Sequence, residues 1–220
     1  MCGRYDNLIA RHSYGGLFKL LRLPDSNFPP RYNIAPTQTI PIVRLDRAGE
    51  RELVFVRWGL VPYWMKEIPR IPHINARAET VHKLPMFRDA FRYRRCLIPA
   101  TGFFEWQAVE DGKQPWRFRR RDLEPFAFAG IWEGASIAGT RLESAAMIVG
   151  EPNPLVGGVH DRMPAMLLPS DYGAWLDPGS KQDELLSLLR PYDPELMEAY
   201  RVDRAVNTPN NDDERCITPI

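Results

Sequence analysis

Disulfides, lysines, net charge and long apolar runs are all scarce in this chain, and each scarcity removes a class of protein. The chain has three cysteines, Cys2, Cys96 and Cys216, with no CxxC pair. An odd, low count of this kind argues against a disulfide framework or a structural zinc. His73, His82 and His160 show no HExxH or H-x₃₋₅-H spacing, so no metal is expected, and nothing calls for a cofactor. No apolar stretch is long enough for a membrane helix, and no charged leader or cleavage site is present. A soluble, cytoplasmic protein with no membrane partner is the expectation. The formal net charge is only +1, which excludes a global basic field for holding nucleic acid. Lysine occurs only at 19, 66, 83, 113 and 181, and every other basic residue is arginine. Arginine is the better residue for planar contact with phosphate and for stacking on bases. An arginine-rich genome would leave the same bias.

Proline (21) and aromatics (11%) are plentiful, and helical periodicity is short wherever it occurs. That combination predicts strands joined by proline-punctuated loops. A short amphipathic helix is expected at 17–23, stopped before Pro24. Residues 28–36 read as a loop, 40–45 and 52–58 as a hairpin, and 59–72 as a second loop carrying Trp64. Pro85 should start a short helix through about Arg92. Strands are expected at 97–106, 116–119, 126–132 and 145–149, with a turn at Asp111-Gly112. Ser170 and Ser180 are plausible helix N-caps. Leu185, Leu186, Leu188 and Leu189 line a helix ended by Pro191. Residues 201–206 suggest a last strand. The fold class is α+β: a mainly antiparallel sheet or open barrel with short peripheral helices, in a single domain spanning 1–220 and monomeric.

The chemistry is organised around Cys2. Removal of Met1 would leave a free α-amine two carbons from a thiol, a 1,2-aminothiol. Both groups ordinarily titrate near neutrality, the amine at ~8 and the thiol at ~8.5. An aldehyde would be taken first as an imine, and the thiol would then close a thiazolidine ring. Alternatively the thiolate could attack an amide, with the amine as its base. Taken alone, a cysteine at position 2 is unremarked in any protein.

Three further clusters carry chemistry. Thr101-Gly102-Phe103-Phe104-Glu105-Trp106 sets a carboxylate in an apolar strand, where desolvation raises its pKa towards acid–base use. A solvated edge or an arginine partner would explain Glu105 equally. His160-Asp161-Arg162 follows a Gly-Gly pair, so His160 could shuttle a proton or stabilise a sugar oxygen. A loop histidine bonded to backbone would explain the residue equally. Asn75 and Arg77 lie two apart in Ile74-Asn75-Ala76-Arg77-Ala78-Glu79, and an extended chain presents both on one side. Arg77 could hold an anion, or simply pair with Glu79 on the surface. Trp58, Trp64 and Trp106 all read as core residues before base-stacking platforms; of the three, Trp64, in a Pro-flanked loop, is the best candidate for stacking on a base. The run Arg117, Arg119, Arg120, Arg121 reads as a solvated strand end, and Cys96 as a core thiol.

These segments occur in a definite order: Met1-Cys2-Gly3-Arg4, Arg31-Tyr32-Asn33-Ile34-Ala35-Pro36, Trp58-Gly59-Leu60, Asn75-Ala76-Arg77-Ala78-Glu79-Thr80, Arg95-Cys96-Leu97-Ile98-Pro99-Ala100, Gly102-Phe103-Phe104-Glu105-Trp106 and His160-Asp161-Arg162-Met163-Pro164. In that order the chain resembles the SOS-response-associated-peptidase (SRAP) family of abasic-site DNA–protein crosslinkers, over nearly its whole length. The resemblance implies binding to single-stranded DNA with an abasic site, often where a duplex begins, and nucleoid association when bound. It implies that Cys2 traps the sugar aldehyde as a thiazolidine, shielding the lesion, and that the protein removes its own Met1. It assigns positioning to Asn75, proton transfer to Glu105 and His160, phosphate contacts to Arg4, Arg77 and Arg162, and a pocket-lining role to Asn33. Two departures stand out: Phe104 where Tyr is more usual, and Met65 after Trp64 where some members have a second Trp. The competing readings are an N-terminal-nucleophile amidohydrolase or glutamine amidotransferase, a non-covalent single-stranded DNA binder, and a self-processing peptidase with no DNA role.

Overall fold

The computed structural model describes residues 2–25 and 28–220. The chain runs through β1 (Tyr5–Asn7), α1 (Tyr14–Phe18), β2 (Arg31–Ile34), β3 (Thr39–Leu45), β4 (Arg51–Trp58), β5 (Asn75–Arg77) and α2 (Arg88–Tyr93). It continues through β6 (Arg95–Ala100), β7 (Gly102–Val109), β8 (Gly112–Arg120), β9 (Phe126–Ile137), β10 (Thr140–Gly150) and α3 (Pro154–Gly157). The last elements are β11 (Met163–Pro164), β12 (Met166–Leu167), α4 (Tyr172–Leu176), α5 (Gln182–Ser187) and β13 (Met197–Arg201).

Two sheets result, and the pairing is mostly antiparallel. One has the order β13-β8-β7-β1-β2. The other runs β11-β10-β4-β3-β6-β9-β12, and β9 also pairs with β10, so five of its strands close into a partial barrel. Period-2 alternation gives its strands two apolar faces. Val43, Leu53, Leu97, Ile131 and Ile148 meet the helices through Phe18, Phe91, Trp175 and Leu185. Ile42, Val56, Ile98, Phe128 and Met147 meet the other sheet through Tyr5, Phe103 and Phe118. Cys2 belongs to this second core, between the sheets.

Strand β1 puts it there. Tyr5 pairs with both Ile34 and Phe103, so the first strand is inserted between β2 and β7. The Tyr5 ring meets Trp58 and Phe128 edge-on, at 5.3 and 5.9 Å between centroids. A buried ion pair then locks the strand: Arg117 donates to Asp6 through Nε (2.8 Å) and Nη2 (2.9 Å) and to Tyr200 through Nη1 (2.6 Å). Gly102 is needed here, because a Cβ would lie 2.6 Å from Asp6 Oδ2 and 2.9 Å from Arg117 Nε.

Several sequence expectations are corrected. The run 97–106 is two strands in different sheets, broken at Thr101, whose N–H donates to Asp6 O (3.0 Å) and whose hydroxyl accepts from Leu8 N (3.0 Å). Arg117 is buried rather than solvated, since its partner Asp6 is supplied from the far end of the chain. Residues 31–34 form a strand because β1 offers them an edge. The first helix lies earlier, at Tyr14–Phe18, where Tyr14 and Phe18 are both buried one turn apart, and Lys19 ends it in the left-handed region (φ 53°). Pro85 sits in a series of turns, and the helix begins at Arg88. Ser170 and Ser180 cap no α-helix: α4 follows Asp171 and α5 follows Lys181, while the Ser180 hydroxyl donates to Ala174 O. The last strand is Met197–Arg201, and Arg204–Asn207 is a 3₁₀ turn capped by Asp203.

Candidate active site

Cys2 is fully buried. Its Sγ lies 3.6 Å from Arg4 O, and its own carbonyl accepts from Asn75 Nδ2 at 2.9 Å. Asn75 is delivered by β5, which runs parallel to β10 with Met147 opposite Asn75. The Asn75 Oδ1 atom is buried with no partner among the described residues. Burial, and next the nearby Glu105 charge, push the Cys2 thiol well above its ordinary pKa. The expectation of a thiol titrating near neutrality is therefore corrected: water that would solvate a thiolate is excluded. Met1, whose removal would free the amine, lies outside the described residues.

Glu105 reaches the same interior from β7, where Phe103 and Glu105 share one face and Phe104 and Trp106 the other. It is only 2% exposed, and burial drives its pKa up to about 7. Asp161 pushes in the same direction and Lys113 against it. One carboxylate oxygen, Oε1, has no hydrogen-bond partner among the described residues. The other, Oε2, faces His160 Nε2 at 3.8 Å. His160 follows α3, whose first turn is capped by Asn153. The Arg162 backbone N–H donates to its Nδ1 at 3.0 Å, which places the proton of a neutral ring on Nε2, towards Glu105. Burial lowers the His160 pKa, favouring that neutral form, so the backbone donor rather than exposed Asp161 sets the tautomer.

The phosphate candidates are placed differently from one another. Arg77 is exposed and makes no ion pair among the described residues. The surface pair expected between Arg77 and Glu79 is instead Arg162 with Glu79. Arg4 lines a cleft of about 420 Å³ together with Glu105, Trp106, Lys113, His160 and Asn207. Its Nη1 donates to Asn33 Oδ1 (2.8 Å) and Val206 O (2.6 Å). Asn33 does not line the cleft; it is fully buried, and its Nδ2 is held by the carbonyls of Val206, Thr208 and Asn211. Its part is to hold Arg4. Trp64 is 48% exposed, beside exposed Tyr63, Ile68 and Ile71, on a loop anchored by Val61 N to Ser144 Oγ (2.8 Å) and Trp58 Nε1 to Ile74 O (3.0 Å).

Trp106, Lys113 and Asn207 were not expected at the site. Lys113 carried a signal: it is one of few lysines in a chain that otherwise uses arginine. Asn207 carried none, because its link to Trp106 (Nε1 to Oδ1, 2.7 Å) joins the cleft to the far C-terminal segment. A larger cavity, about 870 Å³ near His82, Arg88 and Lys181, is lined by none of the candidate residues.

The comparisons with known proteins agree in extent. The pattern of the SOS response associated peptidase (SRAP) family matches residues 1–209. The abasic site processing protein YoqW of Bacillus subtilis is 38% identical over 228 residues, covering 99% of each chain. The abasic site processing protein YedK of Escherichia coli is 28% identical over the full length of both, and HMCES of Gallus gallus 29% identical over 90% of this chain and 68% of its own. A crystal structure from Bacteroides thetaiotaomicron superposes with a TM-score of 0.85 at 26% identity, covering 98% of this chain and 99% of that one. By sequence pattern, full-length relatives and architecture, the chain belongs to the SOS response associated peptidase family.

Proposed function

We propose that the protein binds single-stranded DNA at an abasic site and joins it covalently through Cys2 once Met1 has been removed. The observation that carries this reading is a buried Cys2 thiol sharing its interior with a carboxyl group titrating at about 7. The relatives named as abasic site processing proteins support the substrate. Ring opening breaks the C1′–O4′ bond of the abasic sugar: the neutral form of Glu105 donates its proton to the ring oxygen while the C1′ hydroxyl gives its own to water, leaving an aldehyde at C1′. The Cys2 amine adds to the aldehyde and water leaves, giving an imine. The thiol then adds to the imine carbon: its proton passes to the Glu105 carboxylate, and the imine nitrogen takes one from water, closing the thiazolidine and restoring neutral Glu105. His160, with its proton on Nε2, stabilises the released sugar oxygen. Asn75 fixes the Cys2 carbonyl so that amine and thiol face one carbon. A carboxyl near neutrality suits both directions, because it holds a useful fraction of acid and of base. Exposed Trp64 offers a ring for a base, and exposed Arg77 a cation for phosphate, which favours a single strand.

The test is mass spectrometry under denaturing conditions after incubation with single-stranded DNA bearing an abasic site. Wild-type protein lacking Met1 should gain the mass of the DNA less one water, and Cys2→Ala should gain none. A full yield of adduct from Cys2→Ala would remove the reading. Release of ammonia from glutamine without any DNA adduct would favour the amidotransferase alternative.

A further inference from the structure

The cleft beside Glu105 and His160 is lined by more donors than the aldehyde chemistry uses. Lys113, at the start of β8, is exposed and makes no hydrogen bond or ion pair among the described residues. Asn207 enters on the 3₁₀ turn Arg204–Asn207. Its Oδ1 accepts from Trp106 Nε1, so the orientation of the amide is set, and its Nδ2 hydrogens have no partner among the described residues. The turn itself is held. Val206 O accepts from Arg4, and Asn211 O accepts from Asn33 at 2.6 Å. Asp212 Oδ1 accepts from Tyr32 N (2.6 Å) and Asn33 N (2.9 Å), and Oδ2 from Arg31. Segment 203–212 is thus a strap tied to β2, and it carries one side-chain donor into the cleft. Arg4 stands over the Trp106 ring, 5.9 Å from its centroid. Two cations and an oriented amide therefore share the cleft with one carboxyl group. That donor set suits a singly charged oxyanion.

We infer that Lys113 and Asn207 form a seat for a backbone phosphate adjacent to the abasic sugar, with Arg4 at its rim. The inference rests on the abasic-DNA reading above. The charged ammonium supplies attraction, and the oriented amide supplies direction. Together they set where the sugar carbon stops relative to Cys2 and Glu105. A phosphate is the anion that must accompany an abasic sugar in DNA, whereas a free aldehyde brings none.

Equilibrium binding tests this separately from the covalent step. The probe is single-stranded DNA with a tetrahydrofuran residue, which has no aldehyde. Its 5′ or 3′ flanking linkage is either phosphodiester or uncharged methylphosphonate. Neutralising one of the two linkages should weaken wild-type binding about tenfold, the size of one charge-assisted hydrogen bond. Lys113→Gln should weaken binding to the phosphodiester probe similarly and lower the salt slope by about 0.7. In Lys113→Gln combined with Asn207→Asp, the methylphosphonate penalty should vanish. Asn207→Asp keeps the acceptor for Trp106, so a loss there reports the missing donor and the negative charge now facing the phosphate rather than a loosened strap. The inference is overturned if wild type is indifferent to both linkages, or if the double variant keeps the full penalty. If natural abasic DNA gives no adduct while the penalty follows Lys113 and Asn207, the seat stands and the covalent reading falls.

Discussion

At Cys2 the protein raises the cost of ionising a thiol and buries a carboxyl group, Glu105, within electrostatic reach of it. The thiol is pushed well above its ordinary range by burial and by Glu105, so spontaneous thiolate is scarce at neutral pH. Glu105, pushed up to about 7 by burial, holds fractions of both acid and base there. On the proposed reading, chemistry at Cys2 depends on transfer between the two groups rather than on prior ionisation. Glu105→Gln should accordingly slow both adduct formation and its reversal by ~10²–10⁴-fold, the usual contribution of general acid–base catalysis. Its pH–rate profile should also lack the inflection near 7 expected of wild type. Time courses across pH, in both directions, check this; unchanged rates would leave Glu105 as a structural group. Arg77 is predicted to act without chemistry. Exposed and unpaired among the described residues, it should serve phosphate alone. Arg77→Ala should weaken binding to undamaged single strands and flatten the salt slope by ~0.7, with little change in the rate once DNA is bound. Salt-titrated binding isotherms measure that split.

Among the elements, β1 matters most for its length, because three residues position the whole N-terminus. A strand so short has little hydrogen-bonding capacity of its own, and the Asp6–Arg117 pair supplies the rest. Removing one member of a buried pair leaves the other charge without compensation, which costs ~3–5 kcal/mol. Asp6→Asn should lower unfolding stability by that order in denaturant titrations. It should slow crosslinking beyond what the lost stability explains, because the strand that anchors the segment bearing Cys2 is loosened. A variant of wild-type stability would show that the strand is held by pairing and aromatic packing alone. The same contact marks the limit of reading elements from sequence. The hairpin of β3 and β4 was legible, since alternation and a turn are local signals. Arg117 looked solvated because its partner lies 111 residues away. The break at Thr101 was hidden because both halves of 97–106 are apolar, and only the change of sheet separates them. Helix starts were misplaced at Pro85, Ser170 and Ser180, where turn chemistry and capping chemistry use the same residues.

Across the whole molecule, Cys2, Asn75, Glu105 and His160 come from four separated segments and meet between and beside two sheets. Local pattern marked each residue as unusual but could not unite them; the ordered resemblance did. Asn33 shows the converse, a residue in a family motif that works one layer back, through Arg4. Burying Glu105 also has a consequence for stability. In the unfolded chain its pKa is ~4.3, against about 7 when folded. Between those values the folded protein binds more protons than the unfolded one, so stability falls as pH rises through this window. Below it the carboxyl is protonated in both states and the penalty is absent; above about 7 the penalty is complete. At ~1.4 kcal/mol per unit, the cost of ionising Glu105 in place approaches ~4 kcal/mol. Glu105→Gln should therefore be more stable than wild type at pH 8, by up to that order, with the advantage shrinking towards pH 5. Paired denaturant titrations of the two proteins at both pH values cancel the contributions of the other titrating groups. A stability difference that is the same at pH 5 and pH 8 would mean that Glu105 ionises freely where it stands, and the proton-carrier role would lose its physical basis.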